Sequence, residues 1–141
     1  MLLTGAGGML GKEVYEYFKE HYQVYATDID LNAPWLNFLD VRDATAYECL
    51  VEKFRPRFIL HLAALTNLET CEKERANAFL TNAMAVKYAA KLAQKYHAKL
   101  VYISSAGVFD GKKNVYTEED EPRPLNIYGF TIFCGVLLIE Q

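Results

Sequence analysis

The chain has 141 residues, enough for one domain with one buried core. Its 52% hydrophobic and 23% charged residues have the balance of a globular chain and exclude a disordered one. A formal net charge of −3 excludes the basic excess that a general nucleic-acid surface needs.

Strand and helix signals alternate from the first residue. Met1–Thr4 is a short apolar run that ends in glycines, and Met9–Glu20 puts Leu10, Val14, Tyr17 and Phe18 on one helical face. Gln23–Thr27 and Leu36–Leu39 read as the next two strands, with Pro34 in the loop between them. Asp43 is the expected N-cap of a helix running to Phe54, which Pro56 closes off. Phe58–Leu62 and Leu100–Ile103 are continuous apolar runs, the pattern of strands buried on both faces of a parallel sheet. Between them a long helical region from about Glu72 to Tyr96 keeps a period near 3.6 through Ala76, Phe79, Leu80, Ala83, Met84, Val86, Ala90 and Ala93. Ser104 to Leu125 reads as a long loop and Ile127 onward as a last helix. The pattern implies an α/β fold, a Rossmann-type doubly wound parallel sheet with helices on both faces, in one domain over 1–141.

The remaining composition narrows the setting. Cys49, Cys71 and Cys134 form no CxxC pair and have no histidine at metal-ligand spacing, so neither a zinc site nor a disulfide framework is expected. Sparse thiols fit a reducing, cytoplasmic location. Met1-Leu2-Leu3 running straight into glycines does not read as a signal peptide. The longest apolar stretch, Phe130 to Ile139, falls well short of the roughly 20 residues of a spanning helix, so no membrane partner is expected.

Thr4-Gly5-Ala6-Gly7-Gly8-Met9-Leu10-Gly11 lies between the first strand and the first helix, with glycines spaced GxxGxxG. Gly5 permits the tight turn, Gly8 lets a phosphate approach the backbone, and Gly11 allows close helix–sheet packing. Met9 and Leu10 open the helix, whose free N–H groups and positive dipole end suit a pyrophosphate. Asp28, ending the second strand, can accept hydrogen bonds from adenosine ribose hydroxyls. The cofactor is therefore NAD or NADP. NADH is favoured, because no arginine follows Asp28 directly and Asp30 adds a second negative charge against a 2′-phosphate. Asp40, at the end of the third strand, either contacts the adenine or caps its own turn.

Three further segments end successive strands: His61-Leu62-Ala63-Ala64, Ser104 to Gly111, and Asn126-Ile127-Tyr128-Gly129. Ala63 and Ala64 are small enough for a dinucleotide to cross the sheet edge. Ser105 can hydrogen-bond a substrate carbonyl oxygen and Tyr128 can give it a proton, whereas His61 reads as a satisfied core histidine. With these runs, and with Thr66 to Glu72, Thr81-Asn82-Ala83 and Phe109-Asp110-Gly111, the sequence resembles the extended short-chain dehydrogenases, specifically the dTDP-4-dehydrorhamnose reductases. The resemblance implies hydride transfer from NAD(P)H to a 4-keto sugar nucleotide in dTDP-L-rhamnose biosynthesis, with Tyr128 as acid and Ser105 holding the keto oxygen.

The pattern departs from that family at one decisive place. Its Tyr-x-x-x-Lys motif is Tyr128-Gly129-Phe130-Thr131-Ile132 here. The family's lysine binds the nicotinamide ribose and lowers the tyrosine pKa; isoleucine does neither. The resemblance also implies a substrate-binding second half that is absent from these 141 residues. Two functions follow: a reductase with impaired catalysis, or a non-catalytic dinucleotide-binding subunit or remnant. A homo-oligomer is expected through the last helix, because Phe130, Ile132, Phe133, Val136, Leu137 and Ile139 cannot all face one core.

Overall fold

Five short parallel strands form the centre of the computed structural model, which describes residues 1–139. They are β1 (Leu2–Thr4), β2 (Tyr25–Asp28), β3 (Asn37–Phe38), β4 (Phe58–His61) and β5 (Lys99–Tyr102), in the order β3-β2-β1-β4-β5. Leu2, Leu3 and Thr4 pair with Tyr25, Ala26 and Thr27 on one side and with Ile59, Leu60 and His61 on the other. The chain moves outward from β1 to β3, then returns to the far side of β1 for β4 and β5. That reversal makes the β1/β4 boundary the switch point, where such sheets leave a crevice at their carboxyl ends.

The helices are α1 (Met9–Phe18), α2 (Ala44–Phe54), α3 (Leu68–Lys73), α4 (Arg75–Phe79), α5 (Ala85–Lys95) and α6 (Ile127–Ile139). Asp43 caps α2 as expected, its carboxylate accepting the Thr45 and Ala46 N–H groups at 3.0 Å. Alternation along β1 divides the core into two layers. Leu2 packs with Tyr47, Val51, Ile59 and Ala89 on the α2/α5 side. Leu3 packs with Ala6, Ala26 and Leu36 on the α1 side, where Tyr15 stacks on Trp35 with ring centroids 4.0 Å apart.

Four expectations change. On α1, Leu10 and Tyr17 are exposed, and Gly11, Val14, Tyr15 and Phe18 make the packing face, because Gly11 must abut the glycine turn and so sets the helix's rotation. The long helix starts earlier, at Leu68, where the Asn67 side chain accepts the Thr70 N–H at 2.8 Å, and it breaks at Glu74. It then contains a π-helical turn, Leu80–Met84, whose extra residue shifts the buried face and leaves Ala76, Phe79 and Leu80 exposed. Finally, β5 is not buried on both faces. Leu100 and Tyr102 lie under the helices, but Val101 and Ile103 are 41% and 47% exposed, since no described helix covers that side of the sheet edge.

His61 is a partial exception to its expected role. It is fully buried, and its Nδ1 lies 3.1 Å from the Thr4 hydroxyl and 3.2 Å from that of Tyr47. Its Nε2, however, is buried with no partner. Burial pushes its pKa down from 6.5 to about 4. The folded pKa lies below the unfolded one, so the stability at stake is present above pH 6.5 and is lost as pH falls towards 4. The loss should reach about 3 kcal/mol at the bottom of that window. Urea unfolding at pH 7 and pH 4 should show a drop that the non-titrating His61→Gln variant largely lacks. Equal drops in both proteins would move the effect to other groups.

Candidate functional site

The carboxyl ends of β1, β2, β3 and β4 open onto a groove of about 610 Å³. The glycine turn forms one wall and Leu62, Ala63 and Ala64 form the other, with Tyr128 and Ile132 of α6 at one end. The three spaced glycines do different jobs. A side chain on Gly5, whose φ is +70°, would sit 2.5 Å from the Ala63 nitrogen, and one on Gly11 would sit 2.3 Å from the Gly5 carbonyl oxygen. These two are required by the protein's own packing. Gly8 is not: its backbone is extended at φ −74° and a Cβ there would make only an ordinary 3.5 Å contact. Its bareness leaves room for something outside the chain. Gly8 also precedes α1 with no side-chain cap and no acidic residue in the first turn, so the N–H groups at Met9, Leu10 and Gly11 face no competing anion.

At the β2/β3 end, Asp28 lines the groove while bracing the turn. Its carboxylate accepts the Gly7 N–H at 2.9 Å and the Asp30 N–H at 3.1 Å. Asp40 also lines the groove, but its carboxylate is held by Arg42, with Nε at 2.8 Å and Nη2 at 2.7 Å, and it caps the Arg42 N–H at 3.0 Å. The Arg42 guanidinium holds the Asp40 carboxyl below its ordinary value. Arg42 then reaches Asn77 of α4 at 2.5 Å, tying the β3–α2 loop to the helix across the groove. Sequence reasoning missed both Arg42 and Asn77, for no motif marks them.

The other end is built by an asparagine that the sequence reading quoted without a role. Asn82, in the π turn, is fully buried. Its Oδ1 accepts the Leu65 N–H at 2.7 Å, and its Nδ2 donates to the Leu65 carbonyl at 3.0 Å and to Thr131 Oγ1 at 3.1 Å. It thereby locks the loop after β4 to α6. A polar residue in mid-helix amid small apolar ones was the available signal. The start of α6 is held by Glu72, which accepts the Ile127 N–H at 2.8 Å, and by Asn126, which accepts the Gly129 N–H at 2.8 Å. Gly129 presses so closely on the Ala106–Val108 3₁₀ turn that a Cβ would lie 2.0 Å from the Gly107 oxygen. Tyr128 therefore enters the groove beside Ser104, Thr81 and Ile132. Ser105 does not line it. Ser105 Oγ accepts the Gly107 N–H at 3.1 Å and borders an adjoining cavity of about 640 Å³ with Phe133, Val136 and Leu137. Ser105 Oγ and the Tyr128 ring nevertheless converge on Gly107, where a Cβ would lie 3.4 Å from the one and 3.5 Å from the other. Ile132, at the family's lysine position, is buried to 2% exposure and lines the groove.

The family model of the RmlD substrate binding domain matches residues 1–141, the whole chain. The chain belongs to that family. Among curated relatives, the methionine adenosyltransferase 2 subunit beta of Xenopus tropicalis is 39% identical over 135 residues, covering 95% of this chain and 40% of its own. A dTDP-4-dehydrorhamnose reductase of Aggregatibacter actinomycetemcomitans is 31% identical over 132 residues, covering 92% of this chain and 42% of its own. In structure, a dTDP-4-dehydrorhamnose reductase from Bacillus anthracis in complex with NADP superposes with a TM-score of 0.89 at 36% identity, over 99% of this chain and 48% of that one. The chain thus spans less than half the length of these relatives. The Rossmann-like α/β fold and the likeness to the reductases agree with the sequence expectation. The groove residues fit a nicotinamide dinucleotide on the ground that Gly8 is open where a pyrophosphate would meet an uncapped helix N-terminus.

Proposed function

We propose that this chain is a nicotinamide-dinucleotide-binding unit of the RmlD type whose hydride-transfer chemistry is impaired at Ile132. The observation that carries the reading is Gly8, the one glycine of the spaced set that the fold itself does not require. In this reading the backbone of Gly8, Met9, Leu10 and Gly11 holds the pyrophosphate, with Gly5 setting the turn, and Ala63 and Ala64 let the dinucleotide pass over the sheet. Asp28 receives the adenosine ribose. Asp40 acts through Arg42, shaping the adenine end.

A bound reduced nicotinamide would supply the hydride. The protein's share would be Tyr128 as proton donor to a 4-keto oxygen of a dTDP-sugar and Ser105 as its hydrogen-bond partner, once Ser105 turns from the Gly107 N–H. Nothing at position 132 can hold the nicotinamide ribose by charge or stabilise a tyrosinate. A second reading, a non-catalytic subunit, is favoured by Ile132 and by the relatives named as subunits of methionine adenosyltransferase. A cytoplasmic setting and self-association through α6, whose Phe130, Leu137 and Ile139 are exposed, belong to the same proposal. No helix among the described residues is long and apolar enough to cross a membrane.

The test is binding with cofactor discrimination. The groove's charged lining, Asp28, Asp30, Asp40 and Arg42, is net negative, and Arg42 is already paired. NADH should therefore bind more tightly than NADPH by calorimetric titration. Asp28→Ala should weaken NADH about tenfold, the scale of one lost charge-assisted hydrogen bond, and narrow the gap. Equal or tighter NADPH binding by the unmodified chain would remove Asp28 from the ribose role.

A further inference from the structure

The groove's two ends differ in chemistry. Every charged side chain lining it, among the described residues, lies at the adenosine end: Asp28, Asp30, Asp40 and Arg42. The backbone donors of the glycine turn sit next to them. The far end is walled by Leu62, Leu65, Ile103 and Ile132, with hydroxyls of Thr81, Ser104 and Tyr128 but no charge.

Ile132 cannot be displaced to make room for a polar contact. Its side chain is buried, and Tyr102 OH lies 3.4 Å from its carbonyl oxygen. The helix that carries it is locked through Thr131 and Asn82. A ribosyl-nicotinamide placed here would meet only the neutral hydroxyls of Thr81, Ser104 and Tyr128 as side-chain partners. A neutral hydrogen bond nets roughly threefold to tenfold in affinity, and ordering the extra ribose and ring costs a comparable amount for each group fixed. Its carboxamide and ribose hydroxyls would shed water against an apolar wall.

From this partition we infer that the groove is an ADP-type site: it recognises the ADP-ribose half, and the nicotinamide adds almost nothing to affinity. The inference rests on the dinucleotide reading above and sharpens it by naming the part of the ligand that is bound. It makes the chain a receptor for ADP-ribose as well as for NAD(H), with little discrimination between oxidised and reduced forms.

The experiment is calorimetric titration of the full chain with ADP-ribose, NADH and NAD⁺, repeated on Ile132→Lys. ADP-ribose should bind within about threefold of both dinucleotides. Ile132→Lys should open a gap in favour of NADH while leaving ADP-ribose unchanged. Should that variant fail to fold, the comparison on the unmodified chain decides alone. NADH binding tenfold or more tighter than ADP-ribose overturns the inference and leaves the dinucleotide site standing. Binding of none of the three overturns both.

Discussion

Gly8→Val should leave the fold intact and lower dinucleotide affinity by at least about 100-fold. Valine is at ease in the extended backbone that Gly8 adopts, φ −74° and ψ 170°. Its Cβ meets nothing in the protein closer than 3.5 Å. What it does meet is the volume in front of the α1 N-terminus, where a pyrophosphate approaches the Met9, Leu10 and Gly11 backbone. Two lost hydrogen bonds to a charged group, at roughly 1.5–3 kcal/mol each, give a loss of two decades or more. Gly11→Val is the control, because a Cβ there lies 2.3 Å from the Gly5 oxygen and must disrupt the turn itself. The checks are NADH titration and far-ultraviolet circular dichroism of both variants. A folded Gly8→Val protein with normal affinity would reduce the glycine turn to plain structure.

The 141-residue chain should oxidise NADH at no useful rate with a dTDP-4-keto-6-deoxy sugar. Proton donation by a tuned acid contributes roughly 10²–10⁴-fold in rate, and the tuning cation is what position 132 lacks. The buried Ile132 puts an apolar branch into the groove where the resemblance implies an ammonium. Ser105, moreover, is turned to the Gly107 N–H and lines the neighbouring cavity. Positioning of a sugar nucleotide is a further deficit of these 141 residues, which cover about 40% of the curated relatives' length, and misplacement can cost several kcal/mol. Ile132→Lys should raise NADH affinity without restoring turnover by itself. A chimera that joins this chain to the remaining part of the Bacillus anthracis reductase should gain turnover only with Ile132→Lys. The readout is absorbance at 340 nm under steady state. Brisk oxidation by the unmodified chain would mean that another group takes the lysine's part.

Much of the architecture was legible because period and punctuation are local properties. The glycine run after an apolar strand fixed where β1 ends and α1 begins, and Asp43 marked the start of α2 by a bond to residues two and three positions on. Departure of the lysine motif at Ile132 needed only the sequence. The apolar pattern alone misplaced the rotation of α1, because Leu10 and Tyr17 are as apolar as Val14 and Tyr15, although the packing role of Gly11 pointed to the right face. Only the close approach of Gly11 to the Gly5 oxygen decides which of them face the sheet. The π turn at Leu80–Met84 escaped notice for a similar reason: a one-residue slip in the helical ladder is stabilised by Asn82 reaching Leu65 and Thr131, partners 17 and 49 residues away.

The site followed the same division. Its inventory of residue types was written in the sequence, since a phosphate cradle, a ribose acceptor and a proton donor each need a particular chemistry. Their mutual arrangement was not. Asp40 reads as either an adenine contact or a cap of its own turn; the structure has it capping the Arg42 N–H, with Arg42 wrapped around it and anchored on Asn77. Ser105 and Tyr128 read as a pair; their side chains border different cavities, yet both converge on Gly107, where one Cβ would lie 3.4 Å from Ser105 Oγ and 3.5 Å from the Tyr128 ring. The glycine spacing already divided the three between ligand and fold, but what each missing Cβ would touch is decided by the tertiary structure. For Gly5 that neighbour is Ala63, far away in the chain, and the contact exists only once the sheet has set β1 beside β4.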